Sequence, residues 1–235
     1  MRGREIDVEK IIIVGISTNA RHAYEFVKDY NLFDVIGFAV DEQYLNIDSF
    51  YGLPVFGLKS LDQHVDKANT KLFLAMLWNH LNADRRKLFE RLAGEGWQFA
   101  NLVSPSAKIR GKIVGSNVWV HDNVVIQNDA IIGDNVSIMA MALIGSDTVI
   151  EDHCFFGTKS TIGGGSKIGE QSFVGMNCTV FDGTEVGKKC ILGACAAIKR
   201  NIPDYSLCRT NIEYQIKQYD KDEIENKLIA SNNVR

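Results

Sequence analysis

The sequence predicts a mixed architecture in three parts: a small α/β domain over residues 1–103, a parallel β-helix over 104–203, and a helical tail over 204–235. Three observations predict it. A hydrophobic period of six runs through the second part. Strand-like and helix-like stretches alternate in the first. Ser104-Pro105 breaks the one pattern before the other begins.

The period starts at Val114. Steps of six give Val120, Ile126, Ile132, Ile138, Ile144, Ile150, Phe156, Ile162, Ile168, Val174, Val180, Val186, Leu192 and Ile198, so fifteen consecutive positions are branched aliphatics or Phe. In a chain that is 46% apolar, chance gives this on the order of once in 10⁵ for a fixed frame, so the period is structural. Four residues after each step stands a small or β-branched residue, among them Ala130, Ser160, Ser166 and Ser172. Glycine often follows the aliphatic directly, as at Gly133, Gly145, Gly157, Gly163, Gly169, Gly175 and Gly187, where it is expected to take angles that side chains resist. Helices repeat apolar residues at three and four, strands at two. A period of six marks short strands coiling around an aliphatic axis, with the large residue in the bore.

In the first part, Lys10–Ser17 reads as a buried strand ending at Gly15, and Ala20, Ala23, Tyr24 and Val27 follow at helical spacing. Phe33–Asp41 is a second strand, Gly52–Phe56 a short third and Lys71–Leu77 a fourth. A helix with the stripe Leu81, Leu88, Phe89 and Leu92 follows, and Phe99–Val103 closes the set. This alternation implies a Rossmann-like parallel sheet. Residues Ile212–Leu228 are expected to form the terminal helix.

Composition narrows the function. A net charge of −3 argues against a nucleic-acid partner or an anionic membrane surface. Met1–Lys10 is charged throughout, and no stretch approaches eighteen apolar residues, so the expected compartment is the cytoplasm. Of five cysteines, Cys154, Cys178 and Cys190 fall on the small register of the repeat and read as packing residues; Cys195 and Cys208 have no assigned role. No C-x-x-C occurs, and no metal is expected.

The small α/β domain leading through Leu102-Val103-Ser104-Pro105-Ser106-Ala107-Lys108-Ile109 into hexapeptide repeats resembles the bacterial nucleotide-sugar N-acetyltransferases of the hexapeptide-repeat (left-handed β-helix) family. That group includes UDP-4-amino-sugar N-acetyltransferases and sialic-acid O-acetyltransferases of surface-glycan synthesis. The resemblance implies a left-handed coil of eighteen residues, a homotrimer, a nucleotide-sugar on the N-terminal domain, and acetyl-CoA along the β-helix. The turn from Gly15 to Ala23 resembles the family's first loop, so Gly15, Ser17, Thr18 and Asn19 would face a phosphate. Ile36-Gly37-Phe38-Ala39-Val40-Asp41-Glu42 resembles its G-F-x-D-D stretch, where Asp41 or Glu42 would read the base or ribose.

The catalytic segment departs from the family. Anchored on Gly164-Gly165, the catalytic His position holds Ser146, the Asn position holds Met139 and the second His position holds Phe155. The acidic residue Asp147 remains. Met139 would line the wall toward the substrate and Phe155 toward the cofactor. A serine is no general base at neutral pH. Either His153 or His121 replaces the base, or none is needed because a sugar amine loses its proton to water before attack and the enzyme supplies alignment. The second reading is favoured, and it favours an amine over a hydroxyl acceptor. By the same frame Gly164, Gly175, Met176 and Ala194 match cofactor-lining positions, and Lys199 and Arg200 would pair with CoA phosphates.

Other classes fit less well. A β-helix carbonic anhydrase needs three imidazoles around zinc, and the repeats hold His121 and His153 alone. A non-catalytic nucleotide-sugar or CoA binding protein, or a sugar O-acetyltransferase, stands as the alternative to an N-acetyltransferase.

Overall fold

The computed structural model describes residues 8–76, 78–210, 218 and 220. The expected helix over Ile212–Leu228 lies outside them.

The N-terminal part is built on β1 (Lys10–Val14), α1 (Thr18–Tyr30), β2 (Asp34–Val40), β3 (Ser49–Phe50), β4 (Leu53–Gly57), β5 (Thr70–Leu74) and α2 (Ala83–Gly94). The sheet order is β3-β4-β2-β1-β5, parallel except for β3, which pairs antiparallel with β4. Both faces of β1 are buried, which is why Lys10-Ile11-Ile12-Ile13-Val14 reads as a continuous apolar run. Ile11 and Ile13 pack with Ala20, Ala23 and Val27 of α1, while Ile12 and Val14 pack with Phe89 and Leu92 of α2. The expected strands are therefore present, with one correction. Phe99 makes a single bridge to Leu72, and Leu102–Val103 leaves this sheet to pair with Trp119–Val120 as the first rung of the β-helix.

The repeats form a left-handed parallel β-helix of three faces, with seven, six and five two-residue strands. Fourteen of the fifteen stepped residues are buried in its bore, from Val120 to Ile198. Val114 is the exception at 66% exposure. Ile113 takes its place by pairing with Ile132, because the step from Ile109 to Ile113 in this first coil is four residues rather than six. The ladder also outruns both expected boundaries: Leu207–Cys208 pairs with Ile191–Leu192 beyond Pro203.

Two backbone positions repeat with different physics. Residues at each corner, including Asn117, Asn135, Asp147, His153, Gly165, Gln171 and Gly183, take φ between 53° and 67°. Left-handed geometry is easiest for Gly and, among residues with side chains, for Asn and Asp, and all three recur there. The glycines directly after the bore residue are not at those corners, which corrects their expected role. They permit close stacking: a Cβ on Gly145 would lie 2.5 Å from the Gly164 nitrogen of the next coil, and one on Gly175 2.6 Å from that of Ala194.

The N-terminal domain packs on the face that carries Trp119, Ser137, Phe155 and Phe173. Trp119 joins the core of Phe26 and Phe73. A polar column runs up the adjoining corner: Asn117 donates to Asn135 Oδ1 at 2.7 Å, and the Asn135 amide meets His153 Nδ1 at 3.0 Å. The domain is pinned to this column. The Leu74 amide donates to Asn117 Oδ1 at 2.8 Å, Asn82 to the His153 carbonyl at 2.7 Å, and Gln171 to the Leu81 carbonyl at 2.9 Å. Arg85 of α2, 1% exposed, donates to Ser137 Oγ and, at 2.8 Å, to the Asn135 carbonyl. No helix among the described residues is long and apolar enough to cross a membrane.

Candidate active site

At the carboxyl ends of β1, β2 and β5 lies a cleft of about 460 Å³ lined by Gly15, Ser17, Asn19, Asp41, Asn46 and Asn79, among others. The strand order reverses at β1, the position where open α/β sheets leave a crevice. Gly15 holds φ 124°, accessible to glycine, and its N–H is fixed on the Ala39 carbonyl at 2.8 Å. Ser17 sits at the N-cap of α1 without capping it, and the first turn holds no acidic residue. That helix end keeps its partial positive charge open to an anion.

Asp41 reaches the cleft with one oxygen held by Arg91 Nη2 at 2.6 Å. This bond fixes its direction and leaves the other oxygen to accept. Glu42 does not line the cleft, and its carboxylate instead takes the Lys59 amide at 2.7 Å. Asp41 is thus the carboxylate placed to read a ligand. Thr18 opens the helix but does not line the cleft. The amides of Asn46, Asn79 and Gln43 also line the cleft. They lie in loops or, for Gln43, in a single 3₁₀ turn, where no hydrophobic period marks them in the sequence.

On the β-helix, the remaining candidates flank one face, the one carrying Leu143, Thr161, Thr179 and Ala197. Ser146, Asp147, Gly164, Lys199 and Arg200 stand along one corner of that face, and Met139, Gly175, Met176 and Ala194 along the other. Phe155 lies around the second corner, against the N-terminal domain. Ser146 directs both its amide and its hydroxyl at Gln127 Oε1, at 3.1 and 3.3 Å. Asp147 is exposed beside it. The Gly164 N–H is engaged by Asp182 at 2.8 Å, so Gly164 offers its bare backbone rather than that donor. Met176 and Ala194 are exposed one coil apart, linked by the Cys195 amide on the Met176 carbonyl at 2.8 Å. Lys199 lies 5.3 Å from the centre of the Phe181 ring.

Neither histidine joins Ser146 and Asp147, so neither stands where it could replace the base. His153 is buried in the polar column beneath α2, and burial, reinforced by Arg86, pushes its pKa below the usual range. His121 stacks on Trp119 at 4.5 Å and packs against Phe26, and burial drives its pKa down to about 4. The reason is topological. Both side chains lie under the N-terminal domain, whose position the period of six does not encode. Cys154 and Cys178, as expected, are packing residues, their thiols pushed up to about 12 by burial. No metal-ligating cluster exists among the described residues.

A β-helix of hexapeptide repeats that carries an α/β domain with an open cleft has the build of a hexapeptide-repeat acyltransferase. The bacterial transferase hexapeptide model matches residues 111–146 and 129–164, and the hexapeptide repeat of succinyl-transferase matches 166–200. Perosamine N-acetyltransferase from Caulobacter crescentus, solved with CoA and GDP-perosamine, is 26% identical, with a TM-score of 0.74 over 84% of this chain and 92% of that one. The acetyltransferase domain of PglB from Neisseria gonorrhoeae shares the fold at 21% identity, with a TM-score of 0.73 over 84% of this chain and 96% of that one. No curated protein sequence matches the chain. The resemblance to nucleotide-sugar N-acetyltransferases of the hexapeptide-repeat family, read from the sequence, is supported by both kinds of match.

Proposed function

We propose that this chain is an acetyl-CoA-dependent N-acetyltransferase acting on the amino group of a nucleotide-linked sugar, a cytoplasmic step in bacterial surface-glycan synthesis. The observation that carries the reading is the pairing, in one chain, of an anion-ready cleft with a β-helix wall, in the arrangement shared with a protein that holds GDP-perosamine and CoA. The nucleotide would sit in the cleft, with its diphosphate toward the α1 N-terminus and Asp41 on the base or ribose. Acetyl-CoA would run along the face between Met176 and Arg200, its phosphates toward Lys199 and Arg200. The sugar nitrogen attacks the thioester carbonyl, a C–N bond forms, the C–S bond breaks, and CoA leaves as thiolate to be protonated.

No imidazole stands beside Ser146 among the described residues, and a carboxylate such as that of Asp147 is too weak a base to strip the proton from an ammonium. The serine hydroxyl donates to Gln127, and both imidazoles of the repeats are held elsewhere. The amine must therefore arrive unprotonated. Activity should rise with pH and level off above the amine's own pKa. Ser146→Ala should leave kcat/KM almost unchanged, while Asp147→Asn should lose about tenfold if Asp147 orients the amine. The reading of a base-free reaction is sunk if folded His121→Ala or His153→Ala loses a hundredfold with the acidic limb of the pH profile abolished.

A homotrimer goes with this reading, since the face between the two corners is open and a neighbouring copy would turn it into a cleft. Sedimentation equilibrium at micromolar concentration should give three times the 26.2 kDa chain mass, and a stable monomer would count against it.

A further inference from the structure

We propose that Trp78 is the platform on which the sugar ring of the substrate lies; this rests on the nucleotide-sugar reading above. Trp78 follows β5 between Met76 and Asn79, both of which line the cleft. Its indole reaches the other way, onto the β-helix, 4.7 Å from the Phe155 ring and 6.1 Å from that of Phe173. Those two phenyl rings stack on each other at 5.1 Å and 8°. Trp78 is nonetheless 43% exposed, whereas Trp97 and Trp119 are 6% and 3% exposed. A backed, half-open indole that follows the cleft-lining Met76 and rests on the β-helix face around the corner from Gly175 and Met176 is placed to carry the part of the substrate that joins the nucleotide to the reacting amine. That part is an uncharged ring with apolar C–H faces, which aromatic rings favour over phosphate.

The backbone beside it is constrained. His80, Leu81 and Asn82 hold φ of 49°, 53° and 63°, three successive residues in the left-handed region that side chains disfavour. Gln171 on the Leu81 carbonyl and Asn82 on the His153 carbonyl hold this turn to the β-helix. Strain fixed by surrounding contacts is characteristic of ligand clamps. Here it fixes the segment that carries Trp78.

With Trp97 and Trp119 buried, a ligand-dependent change in indole fluorescence reports chiefly on Trp78. The full chain is titrated with GDP, GDP-perosamine, UDP, a UDP-linked 4-amino-4,6-dideoxyhexose and acetyl-CoA. A sugar-bearing nucleotide should change the emission where its own diphosphate does not, and the change should vanish in Trp78→Leu. Trp78→Ala should raise KM for the nucleotide-sugar roughly tenfold and leave KM for acetyl-CoA unmoved, with Trp78→Phe recovering most of the loss. An equal response to diphosphate alone or to acetyl-CoA, or a KM within twofold of wild type in Trp78→Ala, overturns the platform while the function stands. If none of the nucleotides binds or turns over, the nucleotide-sugar reading falls and the platform with it.

Discussion

Replacing Ile150 by Asp should leave the β-helix unfolded at room temperature, with no cooperative transition in urea or on heating. Ile150 is 1% exposed at the middle of the bore, with Ile132 one coil before it and Ile168 one coil after. Removing the aliphatic costs about 2–4 kcal/mol in transfer and cavity terms. The carboxyl group then has no partner in a bore of branched aliphatics, which adds at least about 2–3 kcal/mol even when it is protonated. Domain stabilities are about 5–15 kcal/mol, so the two losses together consume most or all of it. Position adds to magnitude. Each coil contacts only its neighbours, so a failed central coil separates the ladder into two short stacks. Ile150→Val should cost only about 0.5–1.5 kcal/mol. A cooperative Ile150→Asp transition within about 2 kcal/mol of wild type would mean that the bore does not bear the fold.

The β-helix was legible because its period is long, strict and carried by side chains that have one place to go. Val114 shows the limit. It continues the count of six, but the first coil is shortened ahead of it, and strand pairing rather than counting decides that Ile113 enters the bore. The α/β domain was legible for a related reason, since strands buried on both faces read as apolar runs. The pattern locates the glycines but does not carry their role. A period shows that glycine recurs, but only the next coil, 2.5 Å from a hypothetical Cβ on Gly145, shows why.

The candidate site was legible in proportion to its locality. Gly15, Ser17 and Asp41 sit on the first loops after two strands and Asn19 in the helix turn that follows one of them, and the strand pattern places such segments at one edge of the sheet. His121, His153 and Phe155 could be assigned to corners and strands but not to an environment. What surrounds them is a domain 71 to 92 residues away in sequence, as in the bonds from Asn82 to the His153 carbonyl and from Tyr30 to Asp122. Arg85 was invisible for the same reason. On a helix beginning Ala83-Asp84-Arg85-Arg86-Lys87 it looks like a solvated cation.

That arginine carries the second large effect. Arg85 is buried without a carboxylate among its hydrogen-bond partners, which are Ser137 Oγ and the carbonyls of Asn135, Met76 and Cys154. Burial pulls its pKa down to about 10, so it stays charged at neutral pH. Its planar fork can satisfy several carbonyls at once, which an ammonium cannot. Arg85→Ala should destabilise by about 3–5 kcal/mol, because it opens a cavity and strands those acceptors at the junction of α2 and the β-helix. Arg85→Met keeps much of the volume and removes the desolvated charge, so its cost should be smaller, about 1–2 kcal/mol. Arg85→Lys should fall nearer Ala than Met, since a strongly hydrated ammonium would be buried with fewer acceptors in reach. Urea unfolding of the three variants gives the ranking. If Arg85→Ala lies within about 1 kcal/mol of wild type, or if Lys is the mildest change, the guanidinium is not what fastens the α/β domain to the β-helix.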